Sequence, residues 1–438
     1  PGDRNVDRLA CRAGTGECHG LRGRCGGAAS LFSPRVRHLI GAADIAYANF
    51  EGPAAQGTAG FGRRVRDPGR RFDGTVYASY PAFNFHPSMI GDLRGVGFDV
   101  LSTANNHSLD RGTRGVRLTL SNMLRAGIVP TGTRKTTPRP GPPSFGGWAR
   151  YVDRKGFRTA WLACAEMTNG LPDRRRQVLS CRRDRTTMIR EIKRLRARHD
   201  VDAIFVTPHW GEENKTRPAA RQRRMARDWV EAGTDAVIGT HPHVAQPWER
   251  IVRADGTDAL VMYSTGNFIS GQVRLMQRAG LLGIIRLVRP SSGRTRIQTA
   301  GYVPTWVSFR RGRVVGVNAA REGRAARRAM RRILPAGNEM PGRTPFKPPQ
   351  TCDVQQLLAA IPARAGDHHP APRPLRGVSM LAAADADIFI GGSSAAEPNA
   401  RGPRTGARNA SSNRARRQKR TLSSRASGRV TAFGSANR

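Results

Sequence analysis

The chain reads as an α/β protein with a mixed sheet or two packed sheets. Apolar runs of strand length alternate with segments of helical periodicity through the middle of the chain, and the later part turns β-rich. Four of the strand-like runs end in polar clusters, at residues 105–110, 209–213, 241–243 and 264–267. Ligand sites in α/β sheets lie at the carboxyl ends of strands, so these clusters are expected to converge.

The elements follow in order. Residues 45–50 form a strand, and 53–87, rich in Gly, Arg and aromatics, form loops with short strands. Residues 98–103 make a buried strand, 105–110 a loop, and 112–126 a helix with Val116, Leu120, Met123 and Leu124 on one face. Residues 159–164 form a strand and 184–198 an amphipathic helix carrying Met188, Ile192 and Leu195 on one face. A strand at 202–207 ends at Pro208-His209. The helix at 218–232 has Pro in its first turn and Gly233 just past its end. Strands at 235–239 and 259–264 end at His241 and at Gly266-Asn267, and 280–288 and 297–303 read as antiparallel partners. A final helix covers about 317–334. Three regions result: an irregular Cys/Gly-rich start at 1–35, a main domain at 36–335, and a Pro/Arg-rich tail at 336–438. Residues 401–438 hold eleven basic and no acidic residues, a composition that cannot bury a core and is expected to be disordered.

The 38% hydrophobic content supports a core but implies much sequence outside it. The net charge is +42, yet only six of the 74 basic residues are Lys, and the Arg residues are scattered without interleaved aromatics. That pattern argues against a nucleic-acid partner and for a solvated basic surface. None of the six cysteines forms a CxxC pair, which argues against a zinc ribbon. Cys11, Cys18 and Cys25 recur every seventh residue. An even count fits disulfides in an oxidising compartment, with Cys164–Cys181 as one pair; free thiols in a reducing one fit too. No apolar run reaches the roughly 18 residues of a membrane span. The chain begins at Pro1 rather than Met, as a processed or incomplete chain does, so a signal peptide would lie outside it.

Four clusters carry groups suited to chemistry. His241-Pro242-His243 places two imidazoles two residues apart, and in extended backbone such side chains point the same way. Both can then reach one metal, and neutral imidazole suits Zn, Fe and Mn. In Asn106-His107-Ser108-Leu109-Asp110 the Asn carbonyl can ligate a hard metal, the His can act as general acid, and the Asp can orient it. Asp110 also stands where a helix cap belongs. Pro208-His209-Trp210-Gly211-Glu212-Glu213 offers a third imidazole and two carboxylates, of which Glu213 reads as a solvated loop charge. Alternation puts Asn49 and Glu51 on one side of a strand end, and a carboxylate there can bridge two metals.

These residues resemble the motifs of the CapA family, the capsule or poly-γ-glutamate biosynthesis proteins. Residues 44–53, with Asn49-Phe50-Glu51, look like its NxE motif, and 104–112 resemble its ANNHxxDxG. Residues 208–213 are similar to its HWGxE, 232–243 to its AGADxVIGxHPH, and 263–268 to its YSLGNF. All five occur in the family's order within about 36–310. The family is related to the calcineurin-like metallophosphoesterases: residues 106–110 are similar to the NHEFD of nucleotidases, and 241–243 to their terminal HxH.

The resemblance implies a metallophosphoesterase-like sandwich of two mixed β-sheets flanked by helices, with two divalent ions (Mn, Fe or Zn). It implies Glu51, Asn106, His209, His241 and His243 as ligands and His107 over the substrate, supported by Asp110. Asn49, Asn105, Glu212 and Asn267 are expected to bind substrate. There are departures. The family opens with a strand ending in Gly-Asp, whose Asp is a ligand. Here Gly2-Asp3 has no strand before it, and Asp3 would be that ligand with its strand cut away. Glu51 stands where phosphoesterases have Asp, which changes metal spacing.

The function implied is a metal-dependent hydrolase acting on a phosphoester or a γ-glutamyl amide. The alternative is a non-catalytic assembly or anchoring factor for a polyanionic capsule polymer. The partners implied are an anionic polymer or phosphoester substrate and a capsule-synthesis membrane complex, in the cell envelope.

Overall fold

The computed structural model describes residues 31–135, 147–290, 293–316, 321–340, 377–383 and 385–386. The irregular start up to residue 30, with Asp3, Cys11, Cys18 and Cys25, lies outside the described residues, as do Cys352 and the basic tail from 401.

Two mixed sheets form the frame. The seven-stranded sheet runs β13-β12-β11-β14-β1-β2-β3. Its strands are β1 (Ile45–Asn49), β2 (Val100–Ser102), β3 (Val129–Thr131), β11 (Ala279–Val288), β12 (Arg296–Ser308), β13 (Arg313–Gly316) and β14 (Gly377–Ala383). The six-stranded sheet runs β4-β5-β6-β7-β9-β8. It comprises β4 (Arg150–Arg154), β5 (Phe157–Ala165), β6 (Ala203–His209), β7 (Ala236–Ile238), β8 (Trp248–Val252) and β9 (Asp258–Met262). A short pair joins β10 (Asn267–Ile269) to β15 (Asp385–Ala386).

Strand alternation shows how the sheets pack. Ile45 and Tyr47 of β1, with Leu281 and Ile285 of β11, join Trp161 of β5 and Phe205 of β6 in one buried cluster between the sheets. Tyr47 stacks on Trp161 at 5.2 Å and Trp161 on Phe205 at 4.6 Å between ring centroids. The intervening residues face outward under helices. Ala46 and Ala48 meet α1 (Pro34–Gly41) and α2 (Ser88–Val96) through Leu39, Ile40, Met89 and Leu93. Leu162 and Val206 meet α4 (Arg185–Arg196) and α5 (Ala220–Ala232) through Met188, Ile192, Met225 and Trp229. This is the expected sandwich of two mixed sheets with helices outside.

Gly233 ends α5 in the left-handed region at φ 118°, as its place past the helix predicts. Some expectations fail. Leu124 of α3 (Gly112–Arg125) is 45% exposed, because the buried stripe runs through Val116, Thr119, Leu120 and Met123. Asp110 does not cap α3; Arg111 holds that position without a side-chain bond, and the Asp110 carboxylate is engaged elsewhere. In place of short strands, residues 53–87 hold isolated bridges, Thr58 with Arg64 and Ala78 with Asn84, and one turn of 3-10 helix at Gly60–Gly62. Within the stretch read as tail, 377–383 is a strand between β11 and β1, antiparallel to the first and parallel to the second. A seven-residue apolar run flanked by Pro and Arg carries no periodicity that separates strand from loop.

Cys164 at the end of β5 is bonded to Cys181, 17 residues on, with Cα atoms 5.1 Å apart. Closing a loop of that length restricts the unfolded chain. Replacing both cysteines by Ser is expected to lower the unfolding free energy by roughly 3 kcal/mol. Denaturation of both forms checks it, and coincident curves would show that the bond contributes nothing.

Candidate metal centre

The polar clusters meet at the seam between the sheets. Glu51 follows β1 and Asn106 follows β2 of the seven-stranded sheet. His209 ends β6, and His241 and His243 follow β7 of the other. All five are at most 5% exposed. His209 Nε2 is the hub: Asn106 Oδ1 stands 2.9 Å away, His241 Nδ1 3.1 Å and Glu51 Oε1 3.5 Å. The other ring nitrogen of His209 lies 3.0 Å from the Thr240 hydroxyl, the kind of outer partner that fixes a ligating imidazole. Burial, reinforced by the neighbouring imidazoles of His241, His243 and His107, holds the His209 pKa well below its usual value and favours the neutral ring.

The loop after β7 is stitched in place by Gly239 N to Met262 O at 2.8 Å, Thr240 N to Pro208 O at 2.9 Å and Thr265 N to Gly239 O at 3.1 Å. A Cβ on Gly239 would sit 2.1 Å from Tyr263 O, so only glycine lets this loop lie against β9. His241 and His243 then turn through left-handed backbone, at φ 98° and 59°. This corrects the expectation of extended alternation: the two imidazoles converge through a strained turn, with ring centroids 6.0 Å apart.

Ligand atoms of Glu51, His209 and His241 lie within 4.8 Å of one another, and so do those of Glu213, His241 and His243. Two imidazoles, a carboxylate and an amide oxygen thus face a common point. The mixed nitrogen and oxygen donor set, largely buried, fits a divalent metal ion.

The predicted substrate residues are split. Asn49 Nδ2 donates to Glu51 Oε2 at 3.2 Å. Asn105 Nδ2 donates to Asn49 Oδ1 at 3.3 Å and to Phe50 O at 2.8 Å. Asn267 Oδ1 lies 2.9 Å from His243 Nδ1. All three are fully buried: Asn49 is bonded to Glu51 and Asn267 to His243, while Asn105 reaches the cluster through Asn49. Glu212 is exposed and lines a separate cavity with Lys215, Thr216 and Arg217, while its neighbour Glu213 turns to the imidazoles.

His107 stands beside the cluster. Its Nδ1 donates to Asp110 Oδ2 at 2.8 Å, and the same oxygen accepts Phe83 N at 2.7 Å. Because the carboxylate only accepts, it fixes the proton on Nδ1 and leaves Nε2 for the cavity side, 3.5 Å from Asn169 Nδ2. His107, Asp110, Asn106, Asn169 and Glu213 line one cavity of about 420 Å³. Asn169 comes from a loop that no motif marks. Glu166, another buried carboxylate without a motif, accepts Gly211 N at 2.9 Å and pairs with Arg221, fixing the loop after His209.

Comparison with known proteins bears on the family of the chain. The family model described as bacterial capsule synthesis protein PGA_cap matches residues 17–272. The capsule biosynthesis protein CapA of Bacillus anthracis is 31% identical over 185 residues, 41% of this chain and 42% of that protein. The PGA biosynthesis protein CapA of Bacillus subtilis (strain 168) is 29% identical over 208 residues, 47% of this chain and 51% of that protein. The aligned part therefore spans about half the length of these relatives. Among solved structures, the NAD nucleotidase of Haemophilus influenzae gives a TM-score of 0.34 at 12% identity, over 58% of this chain and 49% of that one. A putative 5′-nucleotidase of Staphylococcus aureus gives 0.34 at 14%, over 50% and 40%. With its five motifs in order and a family match over more than half its length, the chain belongs to the bacterial capsule synthesis proteins of the PGA_cap family.

Proposed function

We propose that the chain is a metal-dependent hydrolase of capsule synthesis, acting on a phosphoester or a γ-glutamyl amide at a two-ion centre. The convergence of Glu51, Asn106, His209 and His241 from two sheets supports this reading. Bound divalent ions supply a water of lowered pKa and neutralise charge on the group attacked. Glu51, Asn106, His209, His241 and His243 would hold the ions, and the Glu51 carboxylate, with two oxygens, could serve more than one of them, whereas a neutral imidazole has one lone pair to give. His107, held by Asp110, is placed to pass a proton to or from the cavity at Nε2, and Asn169 can donate to a substrate oxygen. The Cys164–Cys181 bond favours an oxidising compartment, in keeping with the cell envelope.

A second reading is favoured by the +42 charge: an anchoring factor that binds a polyanionic polymer within a capsule-synthesis complex at the membrane. Elemental analysis of purified protein separates the two. The hydrolase reading expects about two equivalents of Mn, Fe or Zn and turnover of an aryl phosphate or a γ-glutamyl anilide. No bound metal after incubation with Mn would eliminate it and leave polymer binding.

A further inference from the structure

The cavity beside the cluster carries two groups that hydrolysis does not use. Phe61 is 92% exposed and Tyr80 is 71% exposed, and both line the cavity that holds Asn106, His107 and Asn169. Among the described residues these are the exposed aromatic rings, and both stand on this one rim. An aromatic ring left in water forgoes the stabilisation that burying its large apolar surface would bring. Two at the mouth of a single cleft are therefore informative in a way that scattered exposed side chains are not.

Neither ring sits on loose chain. Phe61 occupies left-handed backbone at φ 57°, in a turn closed by Ala59 N to Arg63 O at 2.9 Å and Gly62 N to Ala59 O at 3.2 Å. That turn packs on the start of α3, where a Cβ on Gly112 would meet Phe61 O at 3.2 Å, and Arg114 Nε donates to Thr58 at 3.1 Å. A bulky residue at positive φ is uncommon and is kept only when its surroundings enforce it. Tyr80 stands on a loop whose base is tied by Asp73 Oδ1, accepting from Val76 N and Tyr77 N at 2.9 Å each. Its far end is tied by Phe83 N to Asp110 Oδ2. That oxygen also holds His107, so the Tyr80 loop and the imidazole share one anchor.

We propose that Phe61 and Tyr80 form a subsite that grips a ring in the substrate, next to the bond that His107 and the metal centre address. This rests on the hydrolase reading and narrows its substrate. The ligand class is a phosphoryl or acyl compound whose neighbouring portion is a ring with an apolar face, either a planar aromatic ring or a saturated sugar-like one. A linear γ-glutamyl chain has no such ring and would leave both side chains without a partner.

The test is calorimetric titration of the full chain loaded with Mn, using methylphosphonate, phenylphosphonate and cyclohexylphosphonate. The expected result is roughly tenfold tighter binding of a ring-bearing phosphonate than of methylphosphonate, from two aromatic contacts. The advantage should vanish in the Phe61→Ala, Tyr80→Ala double variant, with metal content unchanged. Preference for phenyl over cyclohexyl would assign a planar ring, and equal gain from both a saturated one. Equal affinity for all three compounds in the wild type would overturn the subsite and leave the hydrolase reading standing. No binding of any phosphonate by the metal-loaded protein would overturn the subsite together with the phosphoester form of the hydrolase reading. The substitutions lie on the surface, and a variant that retains metal has kept the fold of the centre.

Discussion

Replacing His241 by Ala is expected to empty the metal centre. His241 belongs to both ligand groups, one with Glu51 and His209 and the other with Glu213 and His243, so one substitution weakens both. Metal content should fall from about two equivalents to below one, and turnover should drop by roughly three orders of magnitude or more, because ions supply both nucleophile and charge neutralisation. A second readout follows from placement. The proposed ligands come from loops of two different sheets, so bound ions would tie the sheets together at their edge. Wild-type protein at a metal concentration about 100 times its Kd should gain about 2.7 kcal/mol of stability, and the variant close to none. Thermal denaturation with and without Mn reads this directly. A variant that keeps full metal content and the same thermal response would show that His241 is not a ligand.

The second large effect concerns His107. Its Nδ1 is committed to Asp110 and its Nε2 lies on the cavity side near Asn169. Removing a positioned proton-transfer group costs about 10²–10⁴-fold in rate. His107→Ala should therefore lose turnover on that scale while retaining the metal content of the wild type. Asp110→Asn should lose less, about 10–100-fold, because the amide oxygen still accepts Phe83 N while the charge that favours one tautomer is gone. Rates of both variants beside their metal content make the comparison. Loss of metal from His107→Ala would reassign that imidazole to the ligand shell, and an unchanged rate would remove it from the chemistry.

Much of the frame is legible in the sequence because its signals are local. Strands such as 159–164 and helices such as 184–198 show their periods within a dozen residues, and polar clusters directly after strands mark where loops meet. What stays hidden is set by distance and backbone detail. That Glu213 rather than Glu212 turns to the imidazoles depends on how one loop closes after Gly211 at φ 93°. His241 and His243 converge through positive φ, whereas spacing alone suggests extended backbone. Asn169 reaches His107 across 62 positions without a motif. Asp110 offers two readings in sequence, cap and orienter, and the geometry shows its carboxylate on His107 and Phe83. Asn49, Asn105 and Asn267 carry amides suited to substrate, and their burial and the bonds they make to one another and to His243 are not visible in the sequence.

The position of β14 bears on how the protein is made. Ile45 of β1 pairs with Met380 of β14, and β14 also pairs along β11. The strand that joins the two halves of the larger sheet is therefore synthesised only after β1 and β11 are complete. At roughly 5–20 residues per second, β1 waits on the order of tens of seconds for this neighbour, and β11 presents an open edge meanwhile. Such edges are templates for wrong pairing, and contacts this remote slow folding through the cost of closing long loops. Yield of the native sheet during synthesis thus depends on holding β1 and β11 apart from other chains until residues 377–383 arrive.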